Sequence, residues 1–401
     1  MLDFQVIAAL VFIALLAVVV YVERKKLLIQ KILFPLVWIA MYRTKLGLKQ
    51  MDQLAKRFPR FLRFMGSSGV VIGFMGMALI CYKLVENAYK LFFVKEIVPG
   101  VGVLQPFAKN LPGTVYVPFF YLLFSLVVLV IVHEFSHGVM ARAYNMKVKS
   151  SGFAVLSVII PIFPAAFVEP DEKALLKRPA WQQMSVFAAG PFANIITAVL
   201  VILLFFALTG PITGNVVQQD GVLINGFVDD GNVYPAQGIG LTSGELITSI
   251  DGQEVLSLKA FTEVMQTKGP NDDLAIGTNV SSYTTSLGVN PTDASKGYLG
   301  VLVSDHTIIN PAFEAKYGEF TAKAILWFMG LLFWMYALNL GIGLFNLVPI
   351  PILDGGRMLQ TALDVTVGKK NKKLARKAWK YVGIFFAIVI ISVIFKGCTQ
   401  G

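Results

Sequence analysis

Residues 131–141 read IVHEFSHGVMA, and they place two histidines and a glutamate near the end of an apolar run that begins around Val115. An ionisable group in hydrocarbon costs several kcal/mol unless it has a partner, so where such groups occur they mark a site. The whole chain has three histidines, and two of them fall here. On a helix, positions i and i+4 share a face, which lets His133 and His137 grip one metal ion together. Neutral imidazole suits Zn2+, and the neighbouring Glu134 is placed to take a proton from a water held beside it.

The surroundings set the class of protein. Hydrophobic residues make up 56% of the chain and charged residues 15%, against about a quarter charged in an ordinary globular domain. Several membrane helices plus some soluble mass are therefore expected. The net charge of +11 does not point to nucleic acid, because the basic residues are not interleaved with aromatics on one soluble face. They cluster between apolar runs, in 24–31, 43–63 and 369–380, as the positive-inside rule describes for membrane proteins. Cys81 and Cys398 lie far apart, so neither a disulfide framework nor a cysteine zinc site is expected.

Apolar runs at 6–22, 115–144, 184–208 and 324–348 are long enough to span a bilayer, and 69–82 (extending toward Phe93) and 381–395 add two more. The first has no basic residue before it and a basic cluster after it, the mark of a retained helix with its N-terminus outside. Residues 32–42, ILFPLVWIAMY, contain Pro35 and have basic flanks, so they are expected to lie in the interface without crossing. About six crossings then put the basic segments on the cytoplasmic side and 210–312 on the opposite side. The latter is acid-rich, with Asp220, Asp229, Asp230, Glu245 and Asp251 against Lys259, Lys268 and Lys296.

The expected organisation is N-terminal membrane helices with a basic segment (1–112), a first part of the catalytic core (113–209), an extracytoplasmic β-rich domain (210–312), a second part of the core (313–366), and a basic loop with a last helix (367–401). In 244–255, GELITSIDGQEV alternates apolar and polar residues, and its Asp251-Gly252 pair is a hairpin signal. With the preceding NVYPAQGIGLTS and the following LKAFTEVM, this region resembles a PDZ domain. Between Lys149 and Glu169, SSGFAVLSVIIPIFPAAFV is apolar but broken by Gly152, Pro161 and Pro164. A re-entrant hairpin of two extended strands fits it better than a straight helix. Such a hairpin, with Gly152 and Phe153 in its first strand, offers backbone groups for pairing with an extended substrate.

Two histidines leave zinc short of ligands, since a catalytic site commonly has three from the protein and one open position. His306, at the end of the β-rich domain, is a poor candidate, and Glu169 and Asp171 sit in EPDEK, which reads as a solvated loop. Asp354, in FNLVPIPILDGGRM (345–358), is better: it too closes a long apolar run, and Arg357 closely follows it. Arg142 lies about 13 Å beyond His133 along a helix, so both sites fall toward the cytoplasmic face. Pro349 and Pro351 would break the helix there and make room beside a metal.

HEFSHG in one apolar segment, GPFAN (190–194) in the next and NLVPIPILDGG in a later one together resemble the site-2 protease family of intramembrane zinc metalloproteases. The order, spacing and membrane setting match over most of the chain beyond about Val115, and an intervening PDZ-like domain occurs in many members. The resemblance implies one Zn2+ per chain bound by His133, His137 and Asp354, with Glu134 as general base. It implies that Asn346 stabilises an oxyanion or holds substrate, and that Asn194, which matches the second motif, binds substrate; helix packing through small residues is the alternative for Asn194. It also implies regulated intramembrane proteolysis of membrane-protein substrates, with the lipid bilayer as setting. The competing readings are a prenyl-protein type of membrane zinc protease, which leaves the LDGG motif idle, and a non-catalytic PDZ-bearing scaffold, which has no need of Glu134. A zinc transporter would call for an inverted repeat of spans, which the sequence does not display.

Overall fold

The computed structural model describes residues 3–33, 37–94, 102–109, 111–158 and 160–399. It divides into two compact units, Met1–Phe205 with Met329–Gly401, and Phe206–Phe328. The second unit runs from Phe206 to Phe328, against the 210–312 expected from sequence.

The first unit opens with helix α1 (Phe4–Val22), N-capped by Asp3, whose carboxylate accepts from the Gln5 amide. It is apolar all round and buries only Ala9, as a helix surrounded by lipid can. Strands β1 (Leu28–Leu33) and β2 (Val37–Thr44) follow as an antiparallel pair. The segment expected to lie along the interface, 32–42, contributes to these strands; its Pro35 lies outside the described residues. Helix α2 (Leu48–Arg57) turns Met51 and Ala55 inward, and α3 (Pro59–Phe93) starts on a proline, whose missing N–H costs nothing in a first turn. Along α3, Gly66, Gly69, Gly73 and Gly76 form a stripe of small residues against which Met140, Phe192, Met358 and Leu347 pack closely.

A short parallel pair, β3 (Val103–Gln105) and β4 (Thr114–Tyr116), leads into α4 (Phe119–Ala143), the helix that carries HEFSH. The expected hairpin is formed by β5 (Val148–Val158) and β6 (Ile160–Pro170). It is not alone: β2 pairs with β5 from Val37↔Val158 to Thr44↔Ser151, giving an antiparallel sheet ordered β1-β2-β5-β6. Both edges of β5 are therefore occupied, and among the described residues no strand pairs on the outer edge of β6. Helices α5 (Glu172–Leu175) and α6 (Ala180–Val216) complete this half.

The second unit contains β7 (Val217–Phe227), α7 (Pro235–Gly238), β8 (Leu246–Ile250), β9 (Gln253–Glu254), α8 (Leu258–Gln266), β10 (Asp273–Thr278), β11 (Ser282–Ser286), β12 (Gly288–Val289), β13 (Gly297–Tyr298), β14 (Val301–Ile309) and α9 (Pro311–Tyr317). Its main sheet is ordered β11-β10-β8-β7-β14. Val222 and Ile224 of β7 and Leu274 and Ile276 of β10, alternating along their strands, form a core with Ile247 and Ile250 of β8. The Asp251-Gly252 signal joins β8 to β9 with both residues at positive φ, 50° and 77°, as a tight hairpin turn requires.

The chain returns to the first unit through α10 (Glu319–Phe345), α11 (Asp354–Thr366) and α12 (Lys372–Thr399). Among the described residues, six helices, α1, α3, α4, α6, α10 and α12, are long and apolar enough to cross a membrane. A core of this unit joins Val70 and Met77 of α3, Met140 and Ala141 of α4, Val186 to Ala189 of α6, Leu347, and Met358 of α11.

Candidate active site

The HEFSH segment is helical, and the i, i+4 spacing brings the His133 and His137 rings to a centroid distance of 4.8 Å. Asp354 reaches the same point from a different direction. Helix α10 ends at Phe345, and Pro349 and Pro351 prevent its continuation. The chain folds back so that the Gly355 N–H donates to the Asn346 carbonyl at 2.8 Å, and α11 starts at Asp354. Gly355 and Gly356 pass so close to the Leu347 and Ile350 carbonyls that no side chain fits at either. A carboxylate in the first turn of α11 also sits at the favourable end of the helix dipole.

Three ligand atoms converge. His133 Nε2 lies 3.1 Å from Asp354 Oδ2, His137 Nε2 lies 3.4 Å from the same oxygen, and the two Nε2 atoms are 3.1 Å apart. A tetrahedral ion with bonds of about 2.0–2.1 Å holds its ligands about 3.3 Å apart, so the triangle has the size zinc needs. The donor set fits as well: two imidazole nitrogens and a carboxylate oxygen, all turned inward, suit a shared zinc ion. Each histidine is held at its far nitrogen by α6: His137 Nδ1 meets the Val186 carbonyl at 2.7 Å, and His133 Nδ1 meets the Asn194 amide at 3.1 Å.

Glu134 points to the other side of the same cavity. Its Oε2 accepts the Val168 backbone N–H of β6 at 3.0 Å, which leaves the second oxygen for a water or substrate proton. The cavity holds about 690 Å³ and is lined by His133, Glu134, His137, Asn346 and Asp354, by β6 residues Phe167 to Pro170, and by a charged rim. That rim includes two ion pairs, Arg43 with Glu169 at 3.1 Å and Arg357 with Glu172 at 2.8 Å. Glu169, set aside in the sequence reading as part of a solvated loop, is in fact at the end of β6, bonded to Arg43 and Ser150.

The structure thus brings His133, Glu134, His137, Asn346 and Asp354 to one cavity, with Asn194 behind His133. Gly152 and Phe153 are not among its lining residues. They lie on β5, where Arg43 and Tyr42 pair with them on one side and Phe167 and Ala166 on the other. Both backbone edges of these two residues are thus paired within the sheet, which leaves no edge for a third strand there, while the Phe153 side chain stays exposed. His306 pairs with Asp220 in the second unit. The Val168 N–H and Val186 carbonyl had no sequence signal, since any residue supplies them.

Residues 121–390 match the model of peptidase family M50, a span that covers HEFSH, GPFAN and LDGG. The chain belongs to this family. An uncharacterized protein of Methanocaldococcus jannaschii is 26% identical, over 83% of this chain and 80% of that one. The zinc metalloprotease RasP of Shouchella clausii is 26% identical over 58% of this chain and 65% of its own length. The membrane-bound transcription factor site-2 protease homolog of Arabidopsis thaliana is 26% identical over 56% of this chain and 43% of its own. This M50 chain thus spans less than two thirds of either named protease. Among solved structures, the PDZ domain of the SdrC-like protein of Listeria monocytogenes is similar at 26% identity, over 21% of this chain and 87% of that one, with a TM-score of 0.19.

Proposed function

We propose that this M50 chain is an intramembrane zinc metalloprotease that hydrolyses peptide bonds in or near transmembrane segments of membrane proteins. The observation that carries the reading is the triangle of His133, His137 and Asp354, with Glu134 beside it on a helix apolar enough to cross a bilayer. One zinc ion per chain, held by those three residues, would polarise the substrate carbonyl and make hydroxide available near neutral pH. Glu134 takes the proton from the attacking water and passes it to the departing amine. Asn346, in the same cavity, donates its amide to the oxygen on which negative charge develops.

A transmembrane substrate hides its carbonyls in its own helical hydrogen bonds, so a segment must first become extended. The edge of β6 suits such a segment by strand addition. Since Val168 directs its N–H away from β5, alternation puts Pro164, Ala166, Val168 and Pro170 on the outward side. The prolines have no N–H and that of Val168 goes to Glu134, so in this stretch Ala166 offers both a donor and an acceptor.

The charge pattern supports a site toward the cytoplasmic side of the cell membrane and a PDZ-like unit on the outer side. Regulated proteolysis follows as the role: a second cut in a single-span substrate already trimmed outside, with the outer unit admitting only trimmed chains. Detergent-purified protein incubated with a library of transmembrane peptides tests the activity. Cleavage by the parent and none by Glu134→Gln supports it, whereas equal cleavage by both rejects it.

A further inference from the structure

Three residues of α6, Val186, Gly190 and Asn194, follow one another at one-turn spacing and so share a face. All three meet the histidine pair. The Val186 carbonyl lies 2.7 Å from His137 Nδ1. A carbonyl only accepts, so this contact places the His137 proton on Nδ1 and leaves Nε2 with its lone pair directed at Asp354 and His133. At Gly190 the helix approaches both rings closely: a Cβ there would stand 2.6 Å from His133 Nε2 and would strike His137 Nε2 as well. One turn further, the Asn194 amide meets His133 Nδ1 at 3.1 Å.

The two histidines have the same task and need the same tautomer. His133 must also hold its proton on Nδ1 if Nε2 is to face the metal, and that proton needs an acceptor. Asn194 has one to give. It is fully buried, and its Oδ1 has no partner when its NH2 end faces the ring. Exchanging the two ends of the amide gives Oδ1 the His133 proton. A helix built only for packing has no use for a primary amide in an apolar segment, where leucine fills similar space without a desolvation cost.

We propose that Asn194 is a positioning residue whose side-chain carbonyl accepts the His133 Nδ1–H and so fixes Nε2 toward the metal. Val186 does the same for His137 through its backbone, and Gly190 gives the rings the room to lie against α6. The second sequence motif, GPFAN, is on this account the rear wall of the metal site. The inference rests on the reading of His133, His137 and Asp354 as zinc ligands.

The test measures zinc affinity of the full-length protein by chelator competition, together with the melting temperature of the metal-free form. Asn194→Leu removes the acceptor at similar volume and should weaken zinc binding by about 10–100-fold, the usual effect of losing such a support. Asn194→Asp keeps an acceptor facing His133 and should stay within a few-fold of the parent. Parental affinity in Asn194→Leu, or an equal loss in Asn194→Asp, overturns the proposal. So does a lower metal-free melting temperature in Asn194→Leu with zinc affinity intact, which would assign Asn194 to helix packing. A parent that binds no zinc overturns the reading of the site and this inference with it; a zinc-binding parent with a silent Asn194→Leu overturns this inference alone.

Discussion

Gly190→Ala adds one methyl group to α6 at the point where it faces the histidine pair. In an ordinary helix interior the change is favourable by about 1 kcal/mol, because alanine has the higher helix propensity. Here the new Cβ would lie 2.6 Å from His133 Nε2, against 3.4 Å or more for normal contact. The ring or the helix must therefore give way by about 0.8 Å, whereas zinc tolerates ligand displacements of about 0.2 Å. His137 is struck by the same methyl, so the two rings cannot both move aside and keep their common centre. We expect zinc affinity to fall by about 100-fold or more, beyond the 10–100-fold typical of lost outer contacts. Without metal the same clash costs about 1–3 kcal/mol of overpacking against the ~1 kcal/mol gain in propensity, so metal-free thermal stability should change little or fall slightly. Chelator competition and metal analysis of the purified protein read the first quantity, and a melting curve the second. Gly190→Ala that keeps parental zinc affinity and cleavage would refute the close approach of α6 to the ligands.

Three further outcomes follow from the structure. Ala166→Pro removes the outward donor of β6 and should cut cleavage with zinc content unchanged, while Phe167→Pro, which removes a donor to β5, should destabilise the hairpin; equal effects of the two would count against strand addition. In the second unit, burial pushes the Glu245 carboxylate up, but hydrogen bonds from Thr242, Thr278 and Tyr283 outweigh this and hold it below its ordinary value. Its contribution should therefore be complete above the ordinary carboxylate range and disappear as pH falls through the depressed value. Glu245→Gln should cost about 2 kcal/mol at neutral pH and flatten that acid limb, as read by limited proteolysis within 206–328. Val217 and Ile309 are Cα partners at one end of a ladder, so a short linker can replace 217–309. That deletion should let untrimmed substrates be cleaved, and their continued rejection would remove the filter role.

The candidate metal site was legible because its residues are chemically unusual where they stand. Two histidines, a glutamate and an aspartate in apolar runs have few other reasons to be there, and Pro349 with Pro351 announces the turn that delivers Asp354. The sheet was half legible. Gly152, Pro161 and Pro164 argue against a helix, but a strand's sequence does not name its neighbour. The partner of β5 is β2, from a basic, proline-containing segment, and the resulting Arg43–Glu169 bond joins residues 126 positions apart. For that reason the backbone of Gly152 and Phe153 looked available for pairing when both of its edges are already taken. The supports of the site were the least legible. Val168 and Val186 act through backbone atoms that every residue has, whereas Asn194 left a trace, a buried amide in an apolar helix, whose contact only the fold supplies.

The central claim is that this site cuts a chain inside the bilayer. A single-span substrate reconstituted with the zinc-loaded protein in liposomes, with the products mapped by mass spectrometry, tests it most directly. We expect new termini within the substrate's apolar segment, formed by the parent and absent with Glu134→Gln. Termini confined to the soluble flanks, or identical products from Glu134→Gln, would contradict the account.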